Sequence, residues 1–185
     1  MSPGQGTGEV AAGHFGPEHI ALVDEALYVA EHSCADYFKL SAGGWKALRF
    51  ELGTGSALGP AEQSRRALAK LARYEARAWA PGAASHLWRI CLQDGPVLAV
   101  ARRDDLALLG LLTYVLTHEL VHIVRFHRFE QLFDADPRHR PREEALVHRL
   151  THDILRPLHA SLGLAPVLER YRDMGQAPGL GRCWT

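Results

Sequence analysis

The sequence predicts an α+β fold, a small sheet laid against several helices, and three observations carry that reading. Segments of helical periodicity alternate with short β-prone runs between Pro17 and Arg172. An Asp-Gly pair, Asp94-Gly95, stands between two of those runs, HLWRICLQ and PVLAVA, where a hairpin turn would place it. The stretch LALLGLLTYVL, from Leu106 to Leu116, is apolar or small throughout and leads directly into His118, Glu119 and His122. Polar groups are thereby set on a helix that otherwise reads as core.

Taken in order, residues 1–16 are rich in glycine and poor in large apolar groups, and are expected to be disordered. From Pro17 to about Leu40, Ile20, Val23, Leu27 and Ala30 recur at threes and fours, which predicts a helix. Ser41-Ala-Gly-Gly breaks it, WKALRFEL (45–52) reads as a strand, and GTGSALGP as a loop. Ala61 to Ala80, dense in Ala, Arg, Lys and Glu, reads as an exposed helix stopped by Pro81-Gly82. The hairpin 86–101 follows, with Pro96 suited to an edge strand because it cannot donate a ladder hydrogen bond. Asp104-Asp105 supplies a cap and a first-turn acid for a long helix to about Phe133. After the loop DADPRHRP, a helix from Arg142 is bent or ended by Pro157, and a short one covers Pro166 to Arg172. The division that results is a disordered segment 1–16, a single domain 17–174 and a flexible tail 175–185.

Composition narrows the function classes. Of 185 residues, 47% are hydrophobic and 23% charged, as in a globular protein with a real core. The formal net charge is zero with Lys and Arg scattered, so no basic stripe exists and direct nucleic-acid binding is not expected. The eleven apolar residues 106–116 fall short of a bilayer span, and no membrane association is expected. Cys34, Cys91 and Cys183 are odd in number and widely spaced, and the N-terminus has neither a basic nor an apolar signal region; a reducing, cytoplasmic setting is expected.

His118-Glu119-Leu120-Val121-His122 is an HExxH motif within a helix. Residues four apart share a helical face, so both imidazoles can address one ion, and two neutral imidazoles suit Zn²⁺. Glu119 is offset around the helix from His118, so it is suited to reach a zinc-held water and act as the general base. Burying two imidazoles and a carboxylate in an apolar helix is costly unless something pairs with them, and a metal does so.

The run VLTHELVH (115–122) resembles the active-site helix of the zincin metallopeptidases, and PVLAVA resembles the edge strand along which zincins align an extended substrate. The resemblance spans roughly residues 86–155 and implies a zinc-dependent peptidase with Glu119 as its catalytic residue, acting on a peptide or protein, with room for a regulatory protein partner. The extension typical of metzincins is absent, since IVRFHRFEQ follows His122 and His127 is at the wrong spacing. Gluzincins take a third ligand from a Glu on a later helix, and Glu143 and Glu144 both qualify. Helical phase sets Glu143 with the apolar face of Leu146, Val147, Leu150 and Ile154. The gluzincin pattern favours Glu144, followed four residues on by His148 where that family has Asp. SprT-like zincins use a third His, which keeps His148 and His152 as further candidates.

Two competing readings remain. Peptide deformylases order a Gly-rich segment ending in Gln, a Cys ligand and HExxH, and Gly53 to Gln63, Cys91 and His118 follow that order in part. Alternatively the chain is a non-catalytic zincin-like module that binds a peptide or a regulatory partner. In the tail, Cys183 between Arg182 and Trp184 offers a thiolate that could occupy an open coordination position and hold the site latent.

Overall fold

The computed structural model describes residues 13–76, 85–133 and 136–172. The tail 175–185 with Cys183, and residues 1–12 of the N-terminal segment, lie outside the described residues. Helix α1 spans Pro17–Phe38, with proline at the first turn and Gly16 as N-cap, its N–H bonded to His19 Nδ1. Its buried residues, Val23, Ala26, Ala30 and Cys34, are small and recur at threes and fours, so α1 lies closely along the central helix. Residues 13–16 were expected to be disordered. They instead run against the fold, where Phe15 N donates to the buried Asp94 carboxylate at 3.0 Å.

Helix α2 (Ala42–Ala47) is capped by the Ser41 hydroxyl, and β1 (Phe50–Thr54) follows. The 45–52 run expected as one strand is therefore divided, because the Ser41 cap starts a helical turn that takes up Trp45 to Ala47. A loop leads to β2 (Ala69–Ala76) and then β3 (Ser85–Leu92). The sheet order is β1-β3-β2, with β1 parallel and β2 antiparallel to β3. Leu71 opposes Ile90 across β2 and β3, and Leu52 opposes Ile90 across β1 and β3.

This corrects two expectations. Of the segment 61–80, the described residues 61–76 are a loop and a strand rather than a helix, and 77–80 lie outside the described residues: pairing Ala69, Leu71 and Arg73 against β3 overrides the helix preference of the Ala and Arg residues. The segment 96–101 is not the second arm of a hairpin, since α3 covers Asp94–Arg103 and Gln93 is its N-cap. Pro96 sits in the first turn, where no N–H is needed, and Asp94 is a first-turn acid. The Asp94 carboxylate also receives Gly55 N at 3.0 Å; Gly55 has φ +48, and a Cβ there would meet Asp94 Oδ2 at 2.5 Å. Asp-Gly thus starts a helix tied to the end of β1, and the antiparallel partner of β3 is β2, which precedes it.

Helix α4 (Leu108–His127) runs through the middle, buried without interruption from Gly110 to Phe126. It is shorter than the 104–133 span expected, because Asp104 to Ala107 link it to α3. It is long and apolar enough to cross a membrane, yet 89% of its most apolar window is buried inside the fold. Helices α1, α3, α5 (Arg140–Leu155) and α6 (Leu164–Tyr171) pack around it, and β2 and β3 lie against it. The expected stop at Pro157 falls in a 3₁₀ turn, Arg156–Leu158, just after α5. The architecture is α+β, with a three-stranded mixed sheet and several helices.

Candidate metal centre

The centre is built where α5 crosses the buried middle of α4. His118 and His122 lie one turn apart on α4, 4% and 0% exposed, with ring centroids 4.8 Å apart and Nε2 atoms 3.2 Å apart. Glu144 on α5 reaches across, with Oε2 3.3 Å from His118 Nε2 and Oε1 3.5 Å from His122 Nε2. Glu119, on the same turn of α4, is buried and close enough for its charge to act on His118. His148, one turn beyond Glu144, sets its ring 4.5 Å from that of His118 and pairs its Nδ1 with the Tyr114 hydroxyl at 2.8 Å. Tyr114 in turn stacks on Tyr171 of α6 at 4.8 Å.

The first turn of α5 separates its two glutamates. Glu143 forms a two-pronged pair with Arg125, at 2.5 and 3.1 Å, and Arg125 also holds Glu130 at 2.7 Å. Of the two, Glu144 is the one brought to the histidines. His127 is exposed at the end of α4, and His152 lies outside the cluster. Cys91 is in β3 with its Sγ 3.5 Å from Glu62 Oε1, and burial pushes its pKa up to about 12. Gln63 bonds the Leu58 carbonyl. Among the described residues, the group able to hold a metal comprises His118, Glu144 and His148, whose donor atoms all lie within 4.8 Å of one another, and Cys91 is not in it.

The donor set fits a divalent ion. Zinc bonds of about 2.0–2.1 Å in tetrahedral geometry put neighbouring donors about 3.3–3.4 Å apart. His118 Nε2 and His122 Nε2 are 3.2 Å apart, and each faces its own Glu144 oxygen, Oε2 at 3.3 Å from His118 and Oε1 at 3.5 Å from His122. Glu144 Oε2 is buried and makes no hydrogen bond although it faces an imidazole nitrogen, and His118 Nδ1 is likewise buried without a hydrogen-bond partner. A cation between the donors would satisfy the carboxylate oxygen, which otherwise depends on a proton on the facing His118 nitrogen. Comparison of the chain with protein-family models, with curated proteins and with solved structures gave no match. The chemistry of the site therefore rests on its own residues.

The electrostatics agree with the donor set. Burial opposes protonation of His118, but the pairing with Glu144 and the charge of Glu119 outweigh it and raise its pKa above the ordinary histidine value. Burial holds His122 down at about 4, and burial together with His118 holds His148 at about 3, so both imidazoles are neutral at pH 7. Burial alone would raise Glu144, yet the two imidazoles hold it well below the usual carboxylate range. The set offers two neutral imidazoles, His122 and His148, an ionised oxygen, and in His118 an imidazole that a cation must first deprotonate. Glu144, its side chain 15% exposed, is the most accessible of the four donors.

Sequence reading did not find the Tyr114–His148 pair or the role of Arg125. Tyr114 precedes His118 by four and so shares its face, which is a signal the helical phase carries. Arg125 follows His122 by three, but nothing in the sequence says which glutamate of a neighbouring helix it takes.

Proposed function

We propose that the chain is a zinc-dependent metallohydrolase, a zincin-like peptidase in which His118, His122 and Glu144 hold the ion and Glu119 moves the proton. The observation that supports this most strongly is the convergence of two imidazoles, with Nε2 atoms 3.2 Å apart, on one carboxylate whose two oxygens lie 3.3 Å from His118 and 3.5 Å from His122, with the buried Glu119 on the same helix as the imidazoles. A zinc ion bound there supplies Lewis acidity toward a peptide carbonyl and brings the pKa of a water toward neutrality.

The rest is done by side chains of this chain. Glu119, buried at the N-terminal ligand, takes a proton from the attacking water and delivers it to the leaving amine. Glu144 and the neutral His122 fix the charge of the donor set. Tyr114 fixes the ring of His148 through Nδ1 and leaves Nε2 as the atom free to face the centre. The deformylase alternative would need Cys91 as a ligand, and Cys91 is engaged with Glu62 instead. The segment assigned to substrate alignment, 96–101, is helical, and β2 is the edge strand that packs on α4; an extended peptide would pair along β2.

The test is Glu119→Gln, assayed on unfolded casein with zinc content and melting followed in parallel. The reading expects unchanged zinc and melting with hydrolysis lost, since only the proton acceptor is removed. Retained hydrolysis would exclude Glu119 as the base. A wild type that binds zinc and cleaves nothing would leave the non-catalytic binding module as the better account.

A further inference from the structure

Helix α4 ends in a Schellman motif: Phe129 N donates to Phe126 O at 3.1 Å and Glu130 N to Arg125 O at 3.0 Å. The position after the cap takes a left-handed backbone and is ordinarily glycine, yet here it is Phe129, with φ +56. The ring gains nothing from packing in return, since Phe129 is 85% exposed and Leu132 beside it 66%. Packing among the described residues gives no reason for a bulky side chain held in a strained backbone and left in water.

Both residues line a cavity of about 460 Å³ between the segment after α4 and the first three turns of α5. Leu146 extends its apolar part, and Arg142 and Arg149 bound it. The acids of the same cavity, Glu130 and Glu143, are already committed to Arg125. Among the described residues neither Arg142 nor Arg149 has an acidic partner, and both are exposed. Two uncompensated guanidiniums beside an exposed aromatic and two leucines complement carboxylates flanking an apolar side chain.

We propose that this cavity docks a protein segment in which an apolar side chain stands between acidic residues. The apolar group covers Phe129, Leu132 and Leu146, and the carboxylates pair with Arg142 and Arg149. Docking requires neither the metal nor turnover, so it stands or falls apart from the reaction proposed above.

The test uses the purified full chain and the fluorescent peptide Asp-Glu-Leu-Phe-Asp-Glu, blocked at both ends, read by fluorescence anisotropy at low salt. The double variant Arg142→Glu/Arg149→Glu and a peptide with lysines for the acids should each lose roughly ten-fold or more in affinity. A peptide with serines for Leu and Phe should lose as much. Phe129→Gly should weaken binding while raising the melting temperature, because the left-handed backbone is relaxed. A merely structural Phe129 would leave binding untouched. Equal binding of the acidic and lysine peptides, wild-type affinity in the double variant, or full binding of the serine peptide would each overturn the proposal.

Discussion

The two glutamates at the start of α5 are adjacent in sequence and have different work, and exchanging each for alanine separates them. Glu144→Ala removes a carboxylate whose Oε2 lies 3.3 Å from His118 Nε2 and whose Oε1 lies 3.5 Å from His122 Nε2. Loss of a metal's outer-sphere partner typically weakens binding 10–100-fold, and loss of a donor is expected to weaken it by on the order of 100-fold or more. Zinc at about 1,000 times its Kd stabilises a fold by about 4.1 kcal/mol; the same concentration at about ten times a weakened Kd gives about 1.4 kcal/mol. The difference of about 2.7 kcal/mol corresponds to about 5–11 °C of zinc-dependent melting shift for a chain of this size. Glu143→Ala instead strips Arg125 of its two-pronged partner, with both side chains largely buried, at 10% and 12% exposure. Arg125 keeps Glu130, so the cost is about 1–3 kcal/mol, below that of stranding a buried charge outright. Thermal melts with chelator and with excess zinc read both effects. Glu143→Ala should melt lower in both conditions and keep the full zinc shift, while Glu144→Ala should lose most of that shift. The reverse pattern would refute the assignment of the two residues.

Three further outcomes follow from the same geometry. Tyr114→Phe keeps the stack on Tyr171 but leaves His148 Nδ1 buried without its hydroxyl partner, so urea unfolding should show a loss of about 1–3 kcal/mol. Gly110→Ala gains about 1 kcal/mol of helix preference, but its Cβ would sit 2.6 Å from the Gly163 carbonyl oxygen, which is backbone and cannot rotate away. Overpacking of about 1–3 kcal/mol should win, and a stabilised variant would contradict the packing of α4 on the turn before α6. Zinc binding at mildly acidic pH, below the range in which a zinc-held water ionises, should release no more than one proton, from His118, whose pKa is raised; His122 at about 4 and the depressed Glu144 have already lost theirs. The share from His118 should shrink as the pH rises through its pKa while that from the zinc-held water grows, and calorimetry in buffers of differing ionisation heat measures the release. Release of two protons would contradict a neutral His122.

The centre was legible in the sequence because its chemistry is local. The offset of four between His118 and His122 requires only a helix, and the apolar run before them makes that helix the core. The Glu143–Glu144 ambiguity was not resolvable from one helix, because Arg125 on α4 determines which carboxylate turns away. The sheet was the least legible part. Residues 69–76 have helix-forming composition, and only pairing with β3 makes them a strand. Asp94-Gly95 carries the signal of a turn, yet its carboxylate is anchored by Phe15 and Gly55, which are 79 and 39 residues away. Local propensity has no access to contacts at that range.

The proposed reaction rests on one zinc ion held by His118, His122 and Glu144. Anomalous diffraction at the zinc edge from crystals of the zinc-loaded protein tests it most directly. A single peak is expected, bonded to Nε2 of both histidines and to the Glu144 carboxylate, at about 2.0–2.2 Å from each. A peak bonded instead to Glu143 or Cys91, or no peak at the two histidines, would contradict it.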